Sequence, residues 1–500
     1  MHTADSFSSW PSAPVIYEID TWPWLHDLRR EFGDGLTLAD ISVQTWRSCV
    51  PAGTDAVWLM GVWQRSPAGL AVAMNDEQLQ RSFRDALPDL NEQDIVGSPY
   101  CVRDYQVDER LGGSQGLAEA RRRLAECGLR LVLDYVPNHV APDHPWTIEH
   151  PEYFVRGTAD DLQGDPRAWL EVEGQVLARG RDPYFPPWPD VVQLNAFDPG
   201  LRQATADVLI AIGEQCDAVR CDMAMLLTSD VFARTWGPRA GAVPDQEYWP
   251  QVLAQVRERH PQMVFIAEVY WDLEWQLQQQ GFDFCYDKRL YDRLVHADAG
   301  AVRGHLGAED AYQRRLLRFV ENHDEPRAAA TFAPGRYDAA AVLIATVPGA
   351  ILWHDGQLEG RQVHLPVFLG RRPHEVVDEA RAKAGRELLR KVHDSGLRVG
   401  QWSLLECLGW PDNPTCQNLL AWAWQSDDVP HHLVVVNLSD HPAQARVQLP
   451  RPGLTGTEWA LSDLRTDDVF VRDGTSLVTE GLYVDLPAWG THLLDVQKKV

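Results

Sequence analysis

The sequence predicts a (β/α)8 TIM barrel with a subdomain inserted after its third strand and an antiparallel β domain at its C-terminal end. Three observations carry this. Short apolar runs alternate with helical stretches about eight times before Gly396. Four of those runs, rich in Val, Ile, Leu and Phe, stop at an acid. Parallel strands buried on both faces read this way, with chemistry gathered where they end. After Gly396 short strands recur at roughly ten-residue spacing, the pattern of an antiparallel sheet or sandwich.

In chain order, Val15 to Ile19 (VIYEI) is the first strand, Leu36 to Arg47 reads as a helix, and Asp55 to Val62 is the second strand. Arg65 to Pro99 is polar and broken by Pro67, Gly69 and Pro88, part helix and part loop over the barrel top. A helix from Ser114 to Cys127 stops at Gly128 and leads into the third strand, Leu129 to Val136. Between Ala141 and Pro189 the periodicity breaks down into Pro, Gly, Trp and charges. That is too long for a plain loop, so a subdomain is expected there. Leu201 to Gln215 is a helix and Ala218 to Met223 the fourth strand. Glu247 to His260 is the helix before the fifth strand, Val264 to Val269. Phe282 to Tyr286, Leu316 to Val320 and Ala350 to His354 complete the eight, the last preceded by a helix over Ala339 to Val347. LLAWAW, HHLVVVNLS, ARVQL, LYVDL and THLLDV are the strands of the last domain. The barrel is therefore assigned to 1–140 and 190–395, the inserted B subdomain to 141–189 and the β domain to 396–500.

Composition narrows the partners. Against 46 basic residues stand 72 acidic ones, a net charge of −26. Nucleic acid and anionic membranes both need a basic surface, so neither is expected, and a neutral substrate suits the charge better. The eight cysteines (49, 101, 127, 216, 221, 285, 407 and 416) show no CxxC and no His/Cys cluster, and several sit in apolar runs. They read as reduced, buried thiols. MHTADSFSSWPSAP has neither a basic nor an apolar leader segment, and no apolar stretch is long enough to span a bilayer. A cytoplasmic location follows as the expectation. No glycine-rich nucleotide motif follows a strand.

The acids at the strand ends form a chemical set. DAVRCDMAM places Arg220 and Asp222 two residues apart, on one face of a strand. Such a pair either closes a barrel strand or holds a carboxylate anionic, with the cation depressing its pKa, as a nucleophile requires. Glu268 ends the wholly apolar VFIAE, where partial desolvation lets a carboxyl start protonated as a general acid. Asp324, in LLRFVENHDEPR, can hold substrate hydroxyls. A retaining glycosidase needs a nucleophile and an acid/base about 5–5.5 Å apart around an oxocarbenium-like transition state.

On these motifs the chain resembles the α-amylase superfamily of glycoside hydrolases. The family pattern Asp-x-Val-x-Asn-His matches Asp134, Val136, Asn138 and His139; Arg-x-Asp matches Arg220 and Asp222; the Glu after an apolar strand matches Glu268; and Phe-x-x-Asn-His-Asp matches Phe319, Asn322, His323 and Asp324. WPDVVQLN, with two residues inserted, and PGAILWHDGQ resemble two weaker motifs. The resemblance implies Asp222 as nucleophile, Glu268 as acid/base and Asp324 as transition-state stabiliser. It also implies that Tyr100, His139, Arg220 and His323 bind the reacting sugar. Asp134 is expected to hydrogen-bond around the site as a support. Asn138 matches a calcium ligand of many members, but the rest of that site cannot be traced, so calcium is possible without being supported and no cofactor is required.

Two places depart from the family. Where it often carries Lys-His or a single His after the nucleophile, this chain has Met225 and Leu226, read as an apolar acceptor rim. Where exo-acting members have an Asp three residues before the stacking Tyr, this chain has Gly97, so Asp104 or Arg371 would have to close such a pocket. Gly370 to Arg372 is the one candidate for a phosphate clamp and reads better as a solvated basic turn. The leading expectation is a retaining hydrolase of α-glucosidic bonds in oligosaccharides or small α-glucosides. A transglycosidase or isomerase using the same first half-reaction is the alternative, and a non-catalytic carbohydrate-binding relative is the remote one. Linkage, exo or endo action and oligomeric state stay open.

Overall fold

The computed structural model describes residues 10–426 and 429–499; residues 1–9, part of the stretch expected to hold no leader, lie outside them. Eight parallel strands close a barrel: β1 (Val15–Asp20), β2 (Ala56–Met60), β3 (Arg130–Tyr135), β4 (Ala218–Cys221), β5 (Val264–Ala267), β6 (Phe284–Tyr286), β7 (Leu316–Arg318) and β8 (Ala350–His354). Each pairs with its neighbours in chain order, and β8 returns to β1. From β2 to β8 every strand residue is buried, which is why these runs read as continuous apolar stretches rather than alternating ones.

Register does the positioning. Arg220 pairs with Asp134 on β3 and Ile266 on β5, and Cys221 with Tyr135 and Ala267. The ladder runs one step past both strands: the Asp222 N–H donates to Tyr135 O (2.8 Å) and the Glu268 N–H to Cys221 O (3.0 Å). Asp222 and Glu268 therefore leave the barrel level with each other at its C-terminal end, one residue above Arg220.

Between β3 and the helix Pro199–Gly213, the pair His139–Val140 and Val192–Gln193 forms a two-stranded base. Above it stand the hairpin Trp169–Val172/Gln175–Ala178 and the small core of Val140, Phe154, Leu177, Val192, Leu194 and Leu201. After the barrel a six-stranded antiparallel sheet contains β9 (Gln401–Leu405), β10 (Leu419–Ser426), β11 (Val429–Asn437), β12 (Glu458–Asp463), β13 (Val469–Asp473) and β14 (Thr491–Lys498). Along β10 the two faces alternate. Leu420, Trp422 and Trp424 join the barrel's core, and the Trp424 indole N–H donates to Thr346 O (2.7 Å). Leu419, Ala421 and Ala423 join the separate core of the β domain.

Three stretches differ from expectation. The helix read over Leu36 to Arg47 is a single turn, Leu38–Asp40, and a separate helix, Val43–Cys49. Asp40 caps back onto Thr37, and the Ser42 hydroxyl accepts from the Thr45 N–H, so a second N-cap begins a new helix mid-stretch. The helices Thr21–Phe32 and Glu379–Ser395 were not anticipated. The latter ends at Gly396 in the left-handed conformation (φ 65°), the physical reason the pattern changes there. Among the described residues no helix is long and apolar enough to cross a membrane.

Gly349, leading into β8, has φ 100°, and a Cβ there would lie 2.5 Å from Leu316 O and 2.8 Å from Gln313 O. Gly349→Ala is expected to destabilise the barrel by about 2 kcal/mol or more, because both the conformation and the contact are backbone-imposed. Thermal melts should show a midpoint several degrees lower; an unchanged midpoint would contradict the packing described.

Candidate active site

The site is built around Arg220, 1% exposed at the end of β4. Its Nη1 lies 3.0 Å from Asp222 Oδ1 and 3.3 Å from Asp134 Oδ1, its Nη2 2.7 Å from Glu268 Oε2, and its Nε donates to the Tyr286 hydroxyl at 3.3 Å. Trp58 and Tyr100 present ring faces to the guanidinium, each with its centroid 5.2 Å away. One cation thus serves three carboxylates. Arg220 lowers the Asp222 pKa as expected, but it does not hold that carboxyl below its ordinary value. Burial, together with the charge on Glu268, pushes the Asp222 carboxyl well above the usual carboxylate range, and Arg220, divided three ways, offsets this only in part. Burial also raises Asp134, which accepts from the Trp58 indole N–H (3.1 Å) and the Gly61 N–H (3.4 Å) and stays beneath the site as a support.

Glu268 receives more donors than Asp222. Oε1 accepts from the Tyr270 hydroxyl (2.7 Å), and Oε2 accepts from Arg220 and from the Met223 N–H (2.7 Å). Met223 holds the left-handed conformation, with φ 41°, uncommon outside glycine. That turn aims its N–H at Glu268. It also sends the chain into a buried single-turn helix, Ala224–Leu227. Met225 and Leu226 are consequently 0% and 2% exposed and form no acceptor rim; Met223 faces the cleft instead.

Across the cleft, His323 joins two acids and a phenol. Nδ1 lies 2.5 Å from Glu18 Oε1; Nε2 lies 3.1 Å from Asp324 Oδ2 and 2.5 Å from the Tyr100 hydroxyl. Burial alone would lower its pKa, but Asp324 and Glu18 raise it well above the ordinary histidine value, so the ring is an imidazolium. Enclosure raises the Asp324 carboxyl while His323 lowers it further, to about 2, leaving Asp324 anionic. His139 is the opposite case. Buried against the Trp188 ring, it is held down to about 4 and is neutral.

Asp222, Glu268, Asp324, Tyr100 and His139 all line one cleft of about 570 Å³, with Ser98, Met223, Tyr270, Phe185, Trp188, Asp182, Asp190 and Phe368. Arg220, Asp134 and His323 stand just behind its wall. Asp104 and Arg371 do not reach it: Arg371 pairs with Asp94 (2.7 Å) and Asp89 (3.2 Å), and Arg372 with Asp27 and Asp355. The lining contains no Arg or Lys among the described residues. Sequence reasoning missed Glu18, although β1 also stops at acids, and missed Tyr270, two residues beyond Glu268. It also missed Asp190, inside the quoted WPDVVQLN.

Calcium does not fit at Asn138. Its Oδ1 and main-chain oxygen both accept from Gln193 Nε2 at 2.8 Å, and its Nδ2 donates back to Gln193 Oε1 at 3.2 Å. Neutral amides already satisfied by each other offer little to a hard cation that favours carboxylates. Ligand atoms of Glu18, Asp20 and His354 lie within 4.8 Å of one another. Yet Arg327 Nη1 lies 2.6 Å from His354 Nδ1 and 3.0 Å from Glu321 Oε1, so a guanidinium already supplies the cation beside this cluster.

Fold and site are those of barrels whose reacting groups gather at the C-terminal ends of the strands. No family model matches the sequence. It is 24% identical to the α-amylase MalA of Haloarcula japonica over 280 residues, 54% of this chain and 38% of that one. It is 25% identical to the α-1,4-glucan:maltose-1-phosphate maltosyltransferase of Pseudomonas aeruginosa over 183 residues, 35% of this chain and 23% of that one. The matches thus span well under half the length of these relatives. The crystal structure of the α-amylase from Geobacillus thermoleovorans superposes with a TM-score of 0.68 at 16% identity, covering 99% of this chain and 100% of that one. The four motifs stand at the C-terminal ends of β3, β4, β5 and β7, and the fold is that of the solved α-amylases.

Arg220→Leu would leave three buried carboxylates without their cation, and is expected to cost about 3–5 kcal/mol. The loss has a sign in pH. With Arg220 gone, buried carboxyls favour the protonated form in the folded state, so the variant keeps most stability below the unfolded carboxylate range and loses it as pH rises. Melts at pH 5 and pH 8 should show a larger deficit at pH 8; an equal deficit at both would contradict the shared-cation geometry.

Proposed function

We propose that the protein is a retaining glycosidase acting on α-glucosidic bonds of oligosaccharides or small α-glucosides through a covalent glycosyl-enzyme. The observation that carries this is the convergence of Asp222, Glu268 and Asp324 on one cleft, each in a different electrostatic setting. Glu268, held by Tyr270 and the Met223 N–H, protonates the glycosidic oxygen as that bond breaks, while Asp222 Oδ attacks the anomeric carbon from the opposite face. Burial raises the Asp222 pKa, and positive charge developing at the anomeric carbon favours the Asp222 anion that attacks it. Glu268 then takes a proton from water, whose oxygen displaces Asp222 and restores the α-anomer. Asp324, kept anionic by His323, holds sugar hydroxyls as the ring flattens, and neutral His139 can donate or accept at a further hydroxyl.

A second reading, transfer of the glycosyl group to a sugar acceptor, draws on the apolar Phe185 and Pro186 in the cleft lining and on the maltosyltransferase relatives. Met225 and Leu226, both buried, lend it no acceptor rim. Nor does the lining supply a cation for phosphate.

Time-resolved NMR with maltose, maltotriose, trehalose, sucrose and isomaltose separates these. The α-anomer of free sugar should appear first. Asp222→Ala should lower kcat/KM by more than about 10⁴-fold, and Glu268→Gln by about 10²–10⁴-fold. First appearance of the β-anomer would refute retention, and new oligosaccharides without matching free sugar would establish transfer.

A further inference from the structure

Asp190 lines the same cleft, yet no step above uses it. It follows the Trp188 ring that packs on His139 (centroids 5.0 Å apart), and its main-chain oxygen accepts from the Cys101 thiol at 3.0 Å, next to Tyr100. Its main chain is thereby held next to Tyr100, and Trp188, two residues before it, packs on His139; both are residues expected around the reacting sugar. Asp190 is 6% exposed. A carboxylate so buried ordinarily has a cation or several donors. Among the described residues no side chain forms an ion pair with it. Arg179, the cation that acts on it, donates to the Pro189 carbonyl instead. Asp76 adds a like charge, and burial pushes the carboxyl up to about 6. Asp182, also in the lining, differs: its Oδ1 accepts from the N–H groups of Tyr184 (2.6 Å) and Phe185 (2.9 Å), so its role is to shape the loop.

A desolvated carboxylate in a cleft lining, with its own backbone N–H as a donor and no side-chain ion pair among the described residues, is a site for a ligand's donors, and paired hydroxyls of a neutral sugar supply two. The other acids in the lining and the absence of Arg or Lys there oppose an anionic ligand. We propose that Asp190 is a substrate-binding residue that accepts hydroxyl donors from the glycosyl unit beside Tyr100 and His139, and that the cleft selects neutral α-glucosides over phosphorylated ones. The proposal rests on the reading of the cleft as a glucoside site, and names the chemistry that site recognises.

Calorimetric titration in the Asp222→Ala background, which keeps the ligand intact, tests it with maltotriose and α-glucose 1-phosphate. Asp190→Asn, added to that background, should weaken maltotriose binding at least about tenfold, the cost of replacing a charged acceptor. α-Glucose 1-phosphate should not bind where maltotriose saturates. Should the Asn variant not fold, carbodiimide labelling of the unmutated protein gives the same answer: maltotriose should slow modification of Asp190 several-fold. Equal maltotriose affinity with and without Asp190, no protection from labelling, tighter binding of the phosphate, or no binding of maltotriose at all would each overturn the proposal. Turnover is read separately. An unmutated protein that binds maltotriose through Asp190 but turns over no glycoside sinks the catalytic reading and leaves this one standing.

Discussion

One guanidinium shared by three carboxylates is the interaction on which the rest of the site depends. Arg220, wholly enclosed, could not remain charged there without anions, and Asp134, Asp222 and Glu268 could not remain so close without it. The barrel supplies the geometry at no extra cost in flexibility. Parallel register sets Arg220 level with Asp134 and lifts Asp222 and Glu268 one residue higher, to the rim where substrate arrives. Because the cation is divided, burial and the neighbouring Glu268 raise the Asp222 pKa in spite of it. On the far side the His323 imidazolium, clamped between Glu18 and Asp324, holds Asp324 in the anionic form. The cleft therefore presents a carboxyl inclined to keep a proton and a carboxylate inclined to shed one.

The surrounding structure defends this arrangement rather than creating it. The two-stranded base at His139–Val140 and Val192–Gln193 brings His139, Trp188 and Asp190 over the barrel mouth, and the Asn138–Gln193 amide pair ties it together. The left-handed turn at Met223 is the local strain that the site retains. It serves two ends: an N–H on Glu268, and a short buried helix that keeps Met225 and Leu226 out of the cleft. The C-terminal sheet packs Trp422 and Trp424 on the barrel and contributes nothing to the cleft lining.

Much of this was legible in the sequence because its signals are local. A strand buried on both faces announces itself by an unbroken apolar run, and an acid at the end of such a run has few structural excuses. Hence Asp134 lies on its strand and Asp222 and Glu268 directly after theirs, as the sequence reads. What sequence reading missed depends on the third dimension. Arg220 beside Asp222 suggests a private ion pair, and only the barrel reveals two further carboxylates competing for the same cation. Met225 and Leu226 follow the nucleophile directly, but a positive φ at Met223 turns them inward. Asp190 lies in a stretch of Pro and Trp without periodicity, so nothing local distinguishes it from a solvated loop acid. Leu36 to Arg47 carries the right residues for one helix, and a serine cap divides it.

The central claim, that Asp222 attacks the anomeric carbon, is tested most directly by trapping the intermediate. An α-glucosyl fluoride bearing a second, electron-withdrawing fluorine on the sugar slows the second half-reaction and lets the covalent species accumulate. Peptide mass spectrometry of the treated protein should then find one glycosyl adduct, on Asp222, that disappears in Asp222→Ala. An adduct on Glu268 or Asp324, or turnover of the fluoride with no adduct on any carboxylate, would contradict it.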